Sequence, residues 1–309
     1  MMACPTDQAW HPQPGPGYVE WWYVDAIFTT RDVLSGSLGL WGSLKEPAAM
    51  TVRSDFMLWR PGGAVLDLAG AVPFADFQAS TADCDVRLGP HHLRRQDGQF
   101  FLTLVNAGQD CRLELEFRPH CPGFNYRHDF AGSDGAFWWA VAAPRAQVTG
   151  RLVDTAGETA LDGVGYHDHN WSSISITKMF AGWQWGRLHA AEGTLVWACV
   201  FGPGRAVPLF QAAYWWDEAT ATPHLAFLRD QPRPPGVGER CTGFRLNADE
   251  LMVDLTLTQP LSLARRSARY TYGRFLAHGE AIIRTPLCRR AISGPALHEI
   301  QQFTPVSDL

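Results

Sequence analysis

Over short segments throughout this chain, apolar residues recur at every second position, a period that fits a strand with one buried face and no helix. Residues 112–117, 147–153, 183–188 and 252–258 all carry it. Between such segments lie clusters of turn formers at 60–63, 96–98, 119–123, 132–135, 154–157 and 202–204. Helical stripes are scarce, and only 75–85 and 174–180 read as short helices. Many short strands joined by turns predict a mainly β chain built as a barrel or sandwich. At 309 residues, two such units are expected. A boundary near Trp171 gives an N-terminal β domain, 1–171, and a C-terminal one, 172–309. The Pro-rich stretch 230–238 reads as a long loop, because too little chain follows it for an independent barrel.

Composition excludes several classes. With 26 basic against 31 acidic residues and no basic run, the chain has no electrostatic footprint for nucleic acid. Seven scattered cysteines without a Cys-x-x-Cys spacing read as reduced thiols. The N-terminus lacks a secretory pattern and no window is apolar enough to span a bilayer, so the expectation is a cytoplasmic protein. A greasy substrate would still permit peripheral membrane contact. Thirteen Trp and 17 Phe form the strongest compositional signal, since large rigid apolar rings suit both cores and ligand pockets.

The run Gly165-Tyr-His-Asp-His-Asn-Trp171 is the expected chemical centre. On a strand, alternation puts Tyr166, Asp168 and Asn170 on one face and His167, His169 and Trp171 on the other. On the preferred reading Asp168 is a general acid or base, with Tyr166 and Asn170 as hydrogen-bonding neighbours. Burial among aromatics then favours its protonated form and keeps a transferable proton available. A second reading takes His167 and His169 as a His-x-His metal pair, completed by His189 or Glu20, and leads to a metal-dependent hydrolase. A third takes the histidines as ordinary buried hydrogen-bonding residues; for them it is favoured, and no metal is expected.

Residues 18–25, Tyr-Val-Glu-Trp-Trp-Tyr-Val-Asp, repeat the pattern. Glu20 and Trp22 share one face, and Trp21, Tyr23 and Asp25 the other. They read as a pocket wall anchored by a carboxylate, or equally as a core strand. Trp138, Trp139, Trp183 and Trp185 divide the same way, and Arg187 suits an ion pair or an anionic ligand group. No dinucleotide fingerprint, phosphate-binding loop or Gly-x-Ser-x-Gly elbow is present.

Together, residues 20–25, 138–145, 165–171 and 183–187 resemble the carotenoid 1,2-hydratase (hydroxyneurosporene synthase) and AttH-like superfamily, in order and spacing. The resemblance covers roughly 18–187 and is only compositional beyond. It implies two lipocalin-like antiparallel β-barrels packed together, with a hydrophobic ligand near their junction. It also implies cofactor-free chemistry: hydration of an acyclic carotenoid, or cyclisation of a polyene as in the related lipocalin-like Diels–Alderases. The Tyr-x-Asp pair of the hydratases is matched by Tyr166 and Asp168, the Asp serving as proton donor. Where those enzymes carry His-x-Trp, this chain has Ala136-Phe137-Trp138, so the base that would activate water is missing. Cyclisation of a polyene or terpenoid, pericyclic or proton-initiated, is the expected function. Hydration is the alternative, and a non-catalytic carrier of lipophilic ligands the reading from another class.

Overall fold

The computed structural model describes residues 5–106, 108, 110–130, 132, 134–204, 207–229, 243–262, 265–267 and 270–303. It is mainly β and divides into two compact units, Met1–Ile176 and Thr177–Leu309, each a curled antiparallel half-barrel of lipocalin type. The alternating segments all fall within strands: Cys111–Pro119, Ala136–Asp154, Gly182–Ala190 and Met252–Ser262. The Pro-rich stretch 230–238 lies outside the described residues. So do Cys4 and Cys241, while Cys84, Cys111, Cys121, Cys199 and Cys288 are free thiols. No helix among the described residues is long and apolar enough to cross a membrane.

Helices were expected at 75–85 and 174–180. The first is instead a single 3-10 turn, Phe74–Asp76, followed by the strand Phe77–Ala79, and the second is one turn, Ile176–Met179. Neither segment carries the sustained apolar stripe that would anchor a longer helix. Turn chemistry was the better guide. Asp97 and Gly98 both adopt positive φ, 52° and 78°, as a two-residue hairpin requires between His91–Gln96 and Gln99–Asn106.

In the first unit a 14-stranded sheet runs through Val33–Gly42, Tyr18–Phe28, Gly157–Ser172 and Ala136–Asp154 as consecutive neighbours. Its core lies on one face and includes Trp22, Val24, Ala26, Phe28, Phe100 and Phe117. The long strand Ala136–Asp154 loses register with Gly157–Ser172 between Val141 and Ala146. Pro144 sits in that interval and has no N–H for the ladder, which accounts for the bulge. The bulge lies beside Tyr166, so the sheet is bent where the expected chemical centre begins.

Gly165 opens that centre for a steric reason. A Cβ there would lie 2.6 Å from the Asp25 carbonyl oxygen and 2.7 Å from the Phe117 ring and the Val148 side chain. Gly165→Ala is therefore expected to cost about 1–3 kcal/mol of stability, as overpacking does, seen as a lowered thermal midpoint. An unchanged midpoint would contradict the close approach.

The second unit is a nine-stranded sheet in which Gly182–Ala190 lies between Gly193–Phe201 and Arg289–Phe303. Its core gathers Leu188, Trp197, Trp215, Phe244 and Ile283. Trp183, Trp185 and Arg187 alternate with Leu188 and so occupy the opposite face. Arg187 is completely buried there.

Candidate active site

Strand pairing fixes which side chains meet around Asp168. It lies opposite Tyr23 on one neighbour and Val141 on the other, and Asn170 lies opposite Trp21 and Trp139. Tyr166 pairs with Asp25. These residues share one sheet face, opposite the apolar core of the unit, and Tyr166, Asp168, Asn170, Asp25 and Trp139 are all buried.

Asp168 is the hub of that face. Its Oδ2 accepts the Tyr166 hydroxyl at 2.7 Å and the Trp139 indole N–H at 2.8 Å, and its Oδ1 accepts the Asn170 amide at 2.7 Å. Burial, the Asp168 charge and the hydrogen bond to it push the Tyr166 hydroxyl well above its ordinary pKa of 10.0, so it stays protonated and donates. Burial alone, as expected from sequence, would favour a neutral Asp168. The structure adds three hydrogen-bond donors aimed at that carboxyl. A second carboxylate, Asp25, is completely buried on the same face, and the Tyr23 hydroxyl reaches it at 3.0 Å and Ser35 at 2.8 Å. Aromatic rings wall the face: Trp139 meets Phe124 edge-on at 5.2 Å, and Phe137 lies 6.1 Å from Trp21.

By type alone Trp138 and Trp139 are equivalent, but the sheet separates them. Trp139 binds Asp168, whereas Trp138 faces the other way, half-buried and stacked on Trp171 at 5.5 Å. Ala136 shares the side of Trp138, so it is not the place where a histidine would meet Asp168. On the Asp168 face the residue two before the tryptophan is Phe137. One strand over, on Phe124–Asp129, His128 pairs with Phe137 and points to that same face. The face therefore does carry a histidine, from a strand the motif does not include.

Glu20, Trp22, His167, His169 and Trp171 occupy the opposite, core-side face and do not join Asp168. Trp22 is a core residue. His167 gives Nδ1–H to the Tyr23 carbonyl at 2.8 Å, and burial brings its pKa down to about 4. The alternative pairing of His167 with His169 does not form, because His167 bonds the Tyr23 carbonyl while His169 turns to Glu20. His169 instead meets Glu20, with Nε2 2.8 Å from Oε1, and its Nδ1 lies 2.8 Å from the Asp7 carbonyl. His11 completes the group: its backbone N–H donates to Glu20 at 2.9 Å and its Nδ1 lies 3.7 Å from Oε1. Burial would raise the Glu20 carboxyl. The bonds from His11 and His169, the His169 charge and the Tyr18 hydroxyl outweigh it and hold the carboxyl below its ordinary value. Burial likewise outweighs Glu20 at His169 and lowers that ring's pKa.

In the second unit, Trp183 gives its indole N–H to Glu299 at 2.8 Å, and the same carboxylate accepts Tyr272 at 2.6 Å and Arg274 at 3.0 Å. Trp, Tyr and a nitrogen donor thus surround a carboxylate in each unit. Glu299, Tyr272 and Arg274 escaped sequence reasoning because they lie where the family resemblance is only compositional.

The chain is similar to several known proteins. Residues 80–202, which contain Trp139, Tyr166, Asp168 and Asn170, match the family model described as carotenoid hydratase CrtC. A hydroxyneurosporene dehydrogenase of Chlorobaculum tepidum is 24% identical over 228 residues, 63% of this chain and 59% of that protein. The chain thus matches about three-fifths of that relative's length. Among solved structures, an AttH-like protein from Nitrosomonas europaea superposes with a TM-score of 0.65 at 18% identity, covering 96% of this chain and 95% of that one. Kievitone hydratase from Nectria haematococca gives 0.56 at 13% identity, covering 98% and 96%. At these identities the two structures establish the fold.

Proposed function

We propose that this chain, whose residues 80–202 match the carotenoid hydratase CrtC family model, is an enzyme that protonates a carbon–carbon double bond of a hydrophobic polyene or terpenoid at Asp168 and promotes its cyclisation. The observation that carries this reading is the convergence of Tyr166, Trp139 and Asn170 on one carboxyl. An alkene is a feeble base, so the barrier falls only if the carboxylate left behind is stabilised as the proton departs. Three donors already aimed at that carboxylate supply the charge stabilisation in place, without reorganisation at the moment of transfer. The cation formed would find the faces of Trp139, Phe137 and Phe124 nearby, an attraction worth about 2 kcal/mol or more when desolvated. Loss of a proton from the cyclised cation to the Asp168 carboxylate ends the reaction, and the aromatic walls of the face favour that ending over capture by water.

Hydration is the second reading. The match to a carotenoid hydratase model across the Asp168 segment favours it, as does His128 on the same face. Incubating acyclic polyenes of graded length with the protein in heavy-oxygen water separates the two. Cyclisation predicts a product that is an isomer of its substrate without the label; a labelled alcohol would replace this reading with hydration.

Tyr166→Phe removes one of the three donors without changing the ring. A hydrogen bond to a charged group is worth about 1.5–3 kcal/mol, so turnover is expected to fall roughly 10- to 150-fold with binding little changed. Equal loss in binding and turnover would mean the hydroxyl only shapes the pocket.

A further inference from the structure

On the core-side face of the first unit, three side chains aim lone pairs at one point, and the geometry points to a divalent transition-metal site formed by His11, Glu20 and His169. One candidate ligand atom from each lies within 4.8 Å of the others. The Asp7 carbonyl 2.8 Å from His169 Nδ1 is an acceptor only, so the neutral ring keeps its proton on Nδ1 and presents Nε2 as a lone pair. That lone pair faces Glu20 Oε1 at 2.8 Å. Two acceptors in contact repel unless a cation lies between them. His11 Nδ1, buried and without a hydrogen-bond partner, adds a third lone pair 3.7 Å from the same oxygen. Zinc bonds of about 2.0–2.1 Å at tetrahedral angles place ligand atoms about 3.3 Å apart, within the spread of these contacts.

The surroundings are those of a held metal rather than a chance cluster. The Asp7 carbonyl orients His169 as outer partners orient metal-bound histidines. The His11 backbone N–H and the Tyr18 hydroxyl, itself accepting from Trp10 at 2.8 Å, orient the carboxylate. Both rings are braced: His169 stacks on Trp22 at 4.4 Å, and His11 on Trp171 at 3.9 Å. Two nitrogens and one oxygen suit zinc, cobalt or iron in the divalent state, with a fourth position for water. Such an ion would fasten the N-terminal segment carrying His11 to the strand Tyr18–Phe28. The competing occupant is a single proton shared between Glu20 and His169. This site is independent of the Asp168 reading, and either stands if the other fails.

The test uses the full chain carrying no affinity tag, stripped with chelator and titrated with cobalt(II). The expected result is one cobalt per chain with visible absorption bands of a four-coordinate ion, and a chelator-sensitive thermal midpoint. His11→Ala, at a partly exposed position, should weaken cobalt binding by more than the roughly 10- to 100-fold that loss of an outer partner costs. Absence of the bands in the unmutated chain would overturn the site in favour of the shared proton, whether or not any variant folds. Bands that persist with unchanged affinity in His11→Ala would overturn the ligand assignment.

Discussion

Asp168→Asn is expected to cut turnover about 10²- to 10⁴-fold, the range over which a positioned general acid contributes, while the chain remains folded. The amide keeps the shape of the carboxyl and still offers its oxygen to Tyr166 and Trp139. Asn170 needs only to rotate its own amide to present oxygen instead of N–H. Packing is therefore kept while the transferable proton is lost. Product formation from an acyclic polyene, followed beside circular dichroism, checks both halves. Undiminished turnover would remove Asp168 from the chemistry and leave a pericyclic reaction, in which the face contributes orientation alone.

The second large effect is on stability. Burial lowers His167 and His298 from 6.5 to about 4, outweighing the backbone bonds to Tyr23 and Trp185, and His91 is brought to about 4 by burial as well. A histidine with a depressed folded pKa binds its proton more readily once unfolded. Its contribution is therefore intact above pH 6.5 and drains away as pH falls from 6.5 towards 4. His167 and His298 each forfeit about 3 kcal/mol over that window, and His91 acts in the same direction. Since a domain's whole stability is about 5–15 kcal/mol, acid unfolding should begin well above the carboxylate range. Urea unfolding from pH 8 to pH 4.5 measures it. A free energy that stays level down to pH 5 would show that these rings accept protons without unfolding.

The first strand-rich unit was readable to the extent that period two governs it. Alternation alone sorted Tyr166, Asp168 and Asn170 from His167, His169 and Trp171, because a strand has only two faces and a long regular pairing holds them there. The adjacent pair Trp138 and Trp139 defeated the same reasoning. Two consecutive tryptophans put one ring on each face, and only the register with Asn170 and Trp171 reveals that Trp139 is the partner of Asp168. His128 and Phe124 were hidden because a neighbouring strand, joined through a turn, brings them to the face. His11 was hidden for a different reason: it comes from a segment without regular structure, where periodicity has nothing to say. In the second unit, Trp183 stood out by type, but its acceptor Glu299 is 116 residues away in sequence.

Running the reaction in heavy water reads the proton transfer itself. If Asp168 starts the reaction, the product carries one deuterium on the carbon that was protonated, and Asp168→Asn yields none. A cyclised product made by the unmutated protein with no deuterium would contradict the account, since the ring would then have closed without any proton from this carboxyl.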